Sequence, residues 1–196
     1  EDQEIIDDVN QNGGQAILTS NKHKTGTDRI FEALNILGKS DIELVMNLQG
    51  DEPLMNIDDI RNLHSKMIET KSEIGTLASK ILKKEILDNQ NIVKVITKEN
   101  LEISEFPEAI EFLRKPQKIY KNIYHHLGIY CYQSEMLKNF VSLNQSQNEI
   151  NQKLEQLRAL DNKMKINVSL AKQAPIGLDT EDDFVAIKKI MEYKTQ

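Results

Sequence analysis

The sequence predicts a single α/β domain built on a mainly parallel sheet, and three observations lead there. Short apolar or β-branched runs alternate with amphipathic helical stretches almost throughout the chain. The run from Leu44 to Gln49 reads as a strand buried on both faces, and it stops abruptly at Gly50-Asp51-Glu52-Pro53. No internal repeat, low-complexity tract or composition break divides the 196 residues, so one domain over 1–196 is expected.

Taken in order, Ile5, Ile6 and Val9 have helical spacing, and Gly13-Gly14 end that helix. Residues 15–19 then read as a short strand. Thr25 followed by Asp28 forms a capping pair ahead of the helical period Ile30, Leu34, Leu37. That leaves a polar helix start suited to anions or polar ligand groups. After the strand at 44–49, Asn56 caps a helix carrying Leu63 and Met67, and strands follow at 74–81 and 92–96. Residues 98–122, charged and holding Pro107 and Pro116, read as an irregular excursion.

The second half is patterned more sharply. A strand covers 127–132 and a short helix 136–143, and Ile150, Leu154, Leu157 and Leu160 make the apolar stripe of one further helix. Residues 166–170 alternate as a strand with Val168 and Leu170 inward. A final helix carries Phe184, Ile187, Ile190 and Met191, with Thr180 and Asp183 as a capping pair at its start.

Composition excludes several classes. A net charge of −6 and a pI near 5.3 leave no electrostatic footprint for nucleic acid or an anionic membrane. No apolar run reaches transmembrane length, and no signal peptide is visible. One cysteine, Cys131, rules out a disulfide framework within the chain and fits a reducing, cytoplasmic setting. The chain opens on Glu1 directly in a helical pattern, which is read as a truncated start.

Nucleophile elbow, zinc spacing, Walker A loop and GxGxxG are all missing from the sequence. What remains is a pair of acids, Asp51 and Asp179, each at a turn beside a helix. Carboxylates at strand ends of an α/β sheet suit a hard cation such as Mg²⁺. Asp51 and Glu52 also fit ordinary turn residues. Spacing alone does not bring Asp51 and Asp179 together.

Five blocks, in order, do. Thr25-Gly26-Thr27-Asp28-Arg29, Asn47-Leu48-Gln49-Gly50-Asp51-Glu52-Pro53, His126-Leu127-Gly128-Ile129-Tyr130, Leu154-Glu155-Gln156-Leu157-Arg158 and Leu178-Asp179-Thr180-Glu181-Asp182 together resemble the 3-deoxy-manno-octulosonate (Kdo) cytidylyltransferases, the CMP-Kdo synthetases of lipopolysaccharide synthesis. The resemblance implies a three-layer, Rossmann-like nucleotide-diphospho-sugar transferase fold. The implied reaction is transfer of CMP from CTP to Kdo with release of pyrophosphate, in a cytoplasmic homodimer. It further implies Asp51 and Asp179 as catalytic Mg²⁺ ligands, and Thr25, Gly26, Thr27 and Arg29 beside the nucleotide. Gln49, His126, Glu155 and Gln156 would be sugar-acid contacts.

Each has a structural alternative: His126 as a satisfied core histidine, Glu155 as a surface partner of Arg158, Arg29 as a surface residue. Two departures stand out. The family's N-terminal strand and its triphosphate-binding loop have no counterpart here, and the family's Tyr-Phe-Ser-Arg segment is matched only loosely by Glu111-Phe112-Leu113-Arg114. Through that match Arg114 is expected to grip the sugar carboxylate as a bidentate fork. A CMP-sialic acid synthetase or another sugar nucleotidyltransferase is the alternative enzyme, and an inactive nucleotide-binding or oligomerisation module the alternative of another class.

Overall fold

The computed structural model describes residues 2–50, 52–175, 178 and 180–194. Helix α1 (Gln3–Gln11) is followed by an extended segment, then α2 (Gly26–Leu37), β1 (Leu44–Asn47), α3 (Ile57–Thr70) and β2 (Ile74–Ser79). Next come α4 (Lys84–Asp88), β3 (Lys94–Thr97), β4 (Ala109–Leu113) and the long β5 (Ile123–Gln133). The chain closes with α5 (Ser134–Ser142), α6 (Gln147–Gln152), α7 (Leu157–Asp161), β6 (Ile166–Leu170) and α8 (Glu181–Lys194). Thr25 caps α2, its hydroxyl accepting the Asp28 N–H at 3.1 Å, and Asn56 caps α3 in the same way.

The sheet runs β4-β3-β5-β2-β6, with β1 on the β3 side of β5. Only β2 and β6 pair in parallel; the other ladders among the described residues are antiparallel. The expectation of a mainly parallel sheet is therefore corrected. Strand–helix alternation implies parallel pairing only where helices make the crossovers, and β3, β4 and β5 are joined by loops without helices. β5 thus runs opposite to each of its three neighbours.

Three further local expectations give way. Residues 15–19 join no ladder; Arg29 donates to Thr19 Oγ1 (2.7 Å), and Glu32 accepts from the Ser20 N–H and pairs with His23. Side-chain bonds to α2, and no strand partner, hold this segment. The 98–122 excursion contains β4, which packs Phe112 into the core. The stripe from Ile150 to Leu160 is divided between α6 and α7, because Lys153 turns left-handed (φ 53°) and ends α6. Ile150 points to solvent while Leu154 and Leu157 stay in the core.

Helices cover both faces, so the three-layer expectation holds. On one side α2, α5, the turn between α6 and α7, and α7 itself pack Phe31, Phe140, Leu154 and Leu157 against Val95, Tyr132 and Val168; on the other, α3 lays Leu63 and Met67 on Leu77, Ile129 and Cys131. Of the inward pair expected on β6, Val168 is fully buried and Leu170 half-buried at the core margin. The apolar residues of α8 divide as well, with Ile187 buried and Phe184 and Met191 about half exposed. The capping role expected of the Asp183 side chain lies outside the described residues.

The irregularity that matters most lies in β5. Thr76 faces Tyr130 while the next residue, Leu77, faces Leu127, so Gly128 and Ile129 have no partner on β2. Two extra residues preserve the inside–outside alternation, where one would have reversed it. Thr76 fastens the bulge by donating its hydroxyl to Ile129 O at 2.6 Å.

Candidate active site

The bulge opens into a cleft of about 570 Å³. Gly26 and Thr27 from the start of α2, Asn47, Gln49 and Glu52 after β1, His125 to Gly128 and Tyr130 of β5, and Lys153 to Gln156 line it, with Asn91 to Val93, Pro175 and Leu178 at its edges. Segments far apart in sequence meet here because β1 and β5 are neighbours and α2 starts beside the end of β1. Gly26 stands where a Cβ would come within 3.1 Å of Gln49 Nε2, so a residue with no side chain lets the two elements close. Gln49 in turn donates to Asn47 Oδ1 at 2.9 Å.

His126 is enclosed by the edge of Phe112 and the Tyr130 ring, and its Nε2 lies 3.0 Å from Thr76 Oγ1. The Thr76 hydroxyl proton is already directed at Ile129 O, so Thr76 accepts here and His126 Nε2 carries the hydrogen. Burial, and secondarily His125, push its pKa down to about 3, so the ring stays neutral at ordinary pH. Because the unfolded histidine binds a proton near pH 6.5, its contribution to stability is complete above that pH. It is lost as pH falls from about 6.5 towards 3, and burial of His125 acts in the same direction. Glu155, raised by burial, contributes with the opposite sign. Urea titrations at pH 7 and pH 5 should give the lower midpoint at pH 5, and His126→Gln should shrink the difference.

Glu155 and Tyr130 give the cleft its chemical character. Burial raises the Glu155 carboxyl, with Thr27 and Thr25 pulling it partly back, and its Oε1 is buried with no hydrogen-bond partner. The Tyr130 hydroxyl is likewise buried and unpartnered, its pKa raised well above the ordinary phenol value, first by burial. Unmatched buried polar atoms carry a free-energy penalty unless a ligand supplies partners, so these two suit a hydroxyl-rich molecule. Arg158 does not pair with Glu155: it forms a bidentate pair with Glu149 at 2.9 and 2.6 Å, stacks on Phe140 and is buried. That pair ties α6 to α7 and so fixes the Glu155-Gln156 wall.

The structure gathers Gly26, Thr27, Gln49, His126, Glu155 and Gln156 around the one cleft. Thr25 adjoins it, in a smaller depression it shares with Lys153 and Glu155. Two expected residues lie elsewhere. Arg29 bonds Thr19 and Ser20 and is not in the cleft lining. Arg114 donates to three main-chain carbonyls, Gln152 O (3.0 Å), Lys153 O (3.2 Å) and Gln90 O (3.2 Å), so its fork braces two loops from behind. Both side chains are engaged by carbonyl or hydroxyl acceptors in a chain that packs loops around α2 and β4.

Asp51 and Asp179 lie outside the described residues; their chain neighbours Glu52 and Leu178 line the cleft. Among the described residues no group of three His, Cys, Asp or Glu side chains converges as a metal site. The oxygen donors present, from Gln49, Asn47 and Glu52, are of the hard type that suits Mg²⁺ better than a soft metal. Sequence reasoning did not single out Asn47, Glu52, Asn91, His125, Tyr130 or Lys153. Asn47, Glu52 and Tyr130 sit inside the quoted blocks, whereas Asn91, His125 and Lys153 carry no motif signal.

A mixed sheet between helical layers, with a polar cleft beyond the end of β1 and over the bulge of β5, matches the nucleotidyltransferase folds. Solved structures agree on the fold: apo UDP-glucose pyrophosphorylase superposes with a TM-score of 0.68 at 11% identity, over 97% of this chain and 68% of that one. The sequence profile of the family described as Cytidylyltransferase matches residues 1–166, and the chain belongs to that family. It is 40% identical over 201 residues to the 3-deoxy-manno-octulosonate cytidylyltransferase of Thermodesulfovibrio yellowstonii, covering 97% of this chain and 79% of that protein. The enzyme of the same name from Afipia carboxidovorans is 39% identical over 194 residues, covering 96% of this chain and 76% of that protein. A solved CMP:2-keto-3-deoxy-manno-octonic acid synthetase complexed with CTP superposes with a TM-score of 0.86 at 28% identity, over 99% of this chain and 79% of that one.

Proposed function

We propose that this chain transfers CMP from CTP to Kdo, forming CMP-Kdo and pyrophosphate for lipopolysaccharide synthesis. The observation that carries the reading is convergence: residues from all five resemblance blocks, Gly26 and Thr27, Asn47 and Gln49, His126 and Tyr130, Glu155 and Gln156, and Leu178, line a single cleft. In the reaction the anomeric hydroxyl of Kdo attacks the α-phosphorus of CTP. A new C–O–P linkage forms, the bond to the β-phosphate bridge oxygen breaks, the hydroxyl proton passes to solvent and pyrophosphate leaves.

The residues of the chain act mainly by holding the reactants in line. The α2 start at Gly26-Thr27 faces the nucleotide with main-chain N–H groups. Gln49, Glu155 and Tyr130 present oxygen and amide groups to the sugar hydroxyls, and neutral His126 offers its other ring nitrogen, Nδ1, as an acceptor. Asp51 and Asp179 would hold Mg²⁺, with which Glu52 and Gln49 are chemically compatible. When bound, the cation neutralises phosphate and carboxylate charge and lowers the pKa of the attacking hydroxyl.

The working form is taken as a cytoplasmic homodimer. The test is pyrophosphate release by the full protein from CTP, Mg²⁺ and Kdo, with a sialic acid in parallel. Release with Kdo alone is expected. Preference for the sialic acid, or no release by a folded protein, would overturn the substrate assignment.

A further inference from the structure

The cleft of an enzyme for two anionic substrates is expected to carry positive charge, yet its described wall holds the carboxylates of Glu52 and Glu155 and two histidines, of which His126 is buried and neutral. Lys153 is the only lysine or arginine among the described residues that line it. Arg114, the sequence candidate for the sugar carboxylate, is committed to main-chain carbonyls behind the wall. Two of those carbonyls belong to Gln152 and Lys153 themselves.

The Lys153 backbone is thus fixed from two directions. Arg114 holds the Gln152 and Lys153 carbonyls, and the Lys153 N–H closes on Glu149 O as the end of α6. Lys94, fully buried, adds a second cation to this brace: its ammonium donates to Asn89 O, Ile92 O and Arg114 O at 2.6, 2.8 and 2.8 Å. The adjoining rim at Asn91–Val93 is therefore tied to the same strut. Left-handed backbone alone does not mark Lys153 out, since Lys71 and Lys163 share it and line no part of this cleft. Its position does. The Lys153 side chain is exposed, and its ammonium has no hydrogen-bond or ion-pair partner among the described residues.

We infer that Lys153 is a specificity-determining residue that meets the carboxylate of the sugar acid, on a turn that Arg114 and Lys94 hold in place. The inference rests on the proposed cytidylyl transfer to a sugar acid. An ammonium on a flexible stem acts as a point charge and tolerates several sugar orientations, unlike the planar fork that Arg114 would have supplied. It discriminates an acid from a neutral sugar through charge.

The test uses the full protein with Kdo and with Kdo whose carboxylate is converted to the carboxamide, at saturating CTP and Mg²⁺. Lys153→Gln keeps an unbranched polar side chain, one atom shorter, while removing the charge. It is expected to raise KM for Kdo about tenfold, the scale of one charge-assisted hydrogen bond. KM for CTP and kcat should stay within about twofold, and the preference for acid over amide should shrink by the same factor. Lys153→Arg should restore most of both. An unchanged KM for Kdo in Lys153→Gln, or an equal rise in KM for both substrates, would overturn the inference. Failure of the wild-type protein to bind Kdo by calorimetry or turn it over would overturn the parent reading and this one with it, a result visible before any variant is made.

Discussion

Asp51→Asn and Asp179→Asn are each expected to lower kcat by about a thousandfold or more, with the fold unchanged by circular dichroism and urea titration. Preorganised charge at the reacting phosphoryl group is usually the largest single contribution to such chemistry, and loss of one element of it costs 10² to 10³ or more. Replacing a carboxylate by its isosteric amide removes the charge with little change in volume, so the effect separates chemistry from packing. The assignment draws on the resemblance blocks and on Glu52 and Leu178, the neighbours that line the cleft. A second readout needs no turnover. Each variant should weaken Mg²⁺ binding in a calorimetric titration with CTP present. Near-normal rates at saturating Mg²⁺ would remove both aspartates from the site.

The second large effect is on stability. Arg158→Met leaves the Glu149 carboxylate buried without its partner, since both side chains are about 96–98% buried. Breaking a buried pair from one side costs about 3–5 kcal/mol. At the thermal sensitivity of a chain this size that is on the order of 10 °C in Tm. The double variant Glu149→Leu/Arg158→Met should recover much of the loss, because no uncompensated charge remains. A single-variant loss below about 1 kcal/mol would mean that the pair is not buried in solution. Because the pair clamps α6 to α7, Arg158→Met should also raise KM for Kdo, through displacement of Glu155 and Gln156, before it alters kcat.

The alternative of an inactive nucleotide-binding module predicts the opposite of the first result, with folding and CTP binding retained and no turnover to lose. A metal-dependent wild-type rate discriminates the two directly.

The elements legible in the sequence were those fixed by local chemistry. Thr25 and Asn56 announce helix starts because their side chains cap nearby N–H groups, and the strands expected at 74–81 and 92–96 form at 74–79 and 94–97. The motif blocks at Gly26-Thr27, Gln49, His126 and Glu155-Gln156 likewise marked cleft residues by type and order. Strand direction was not legible, because β3, β4 and β5 pair through loops whose course no periodicity records. Nor was the break at Lys153, where an unbroken apolar stripe conceals one left-handed residue. Arg114 shows the same limit from the functional side. A guanidinium serves a substrate carboxylate or a main-chain carbonyl equally well, and only the approach of the Gln90 and Gln152-Lys153 loops decides which. The sequence by itself determined the family, the caps of α2 and α3, and a part of the cleft wall: Gly26, Thr27, Gln49, His126, Glu155 and Gln156. Tertiary structure alone decided the mostly antiparallel pairing of the sheet, the β5 bulge that sets His126, and the carbonyl contacts of Arg114, because each depends on contacts between residues distant along the chain.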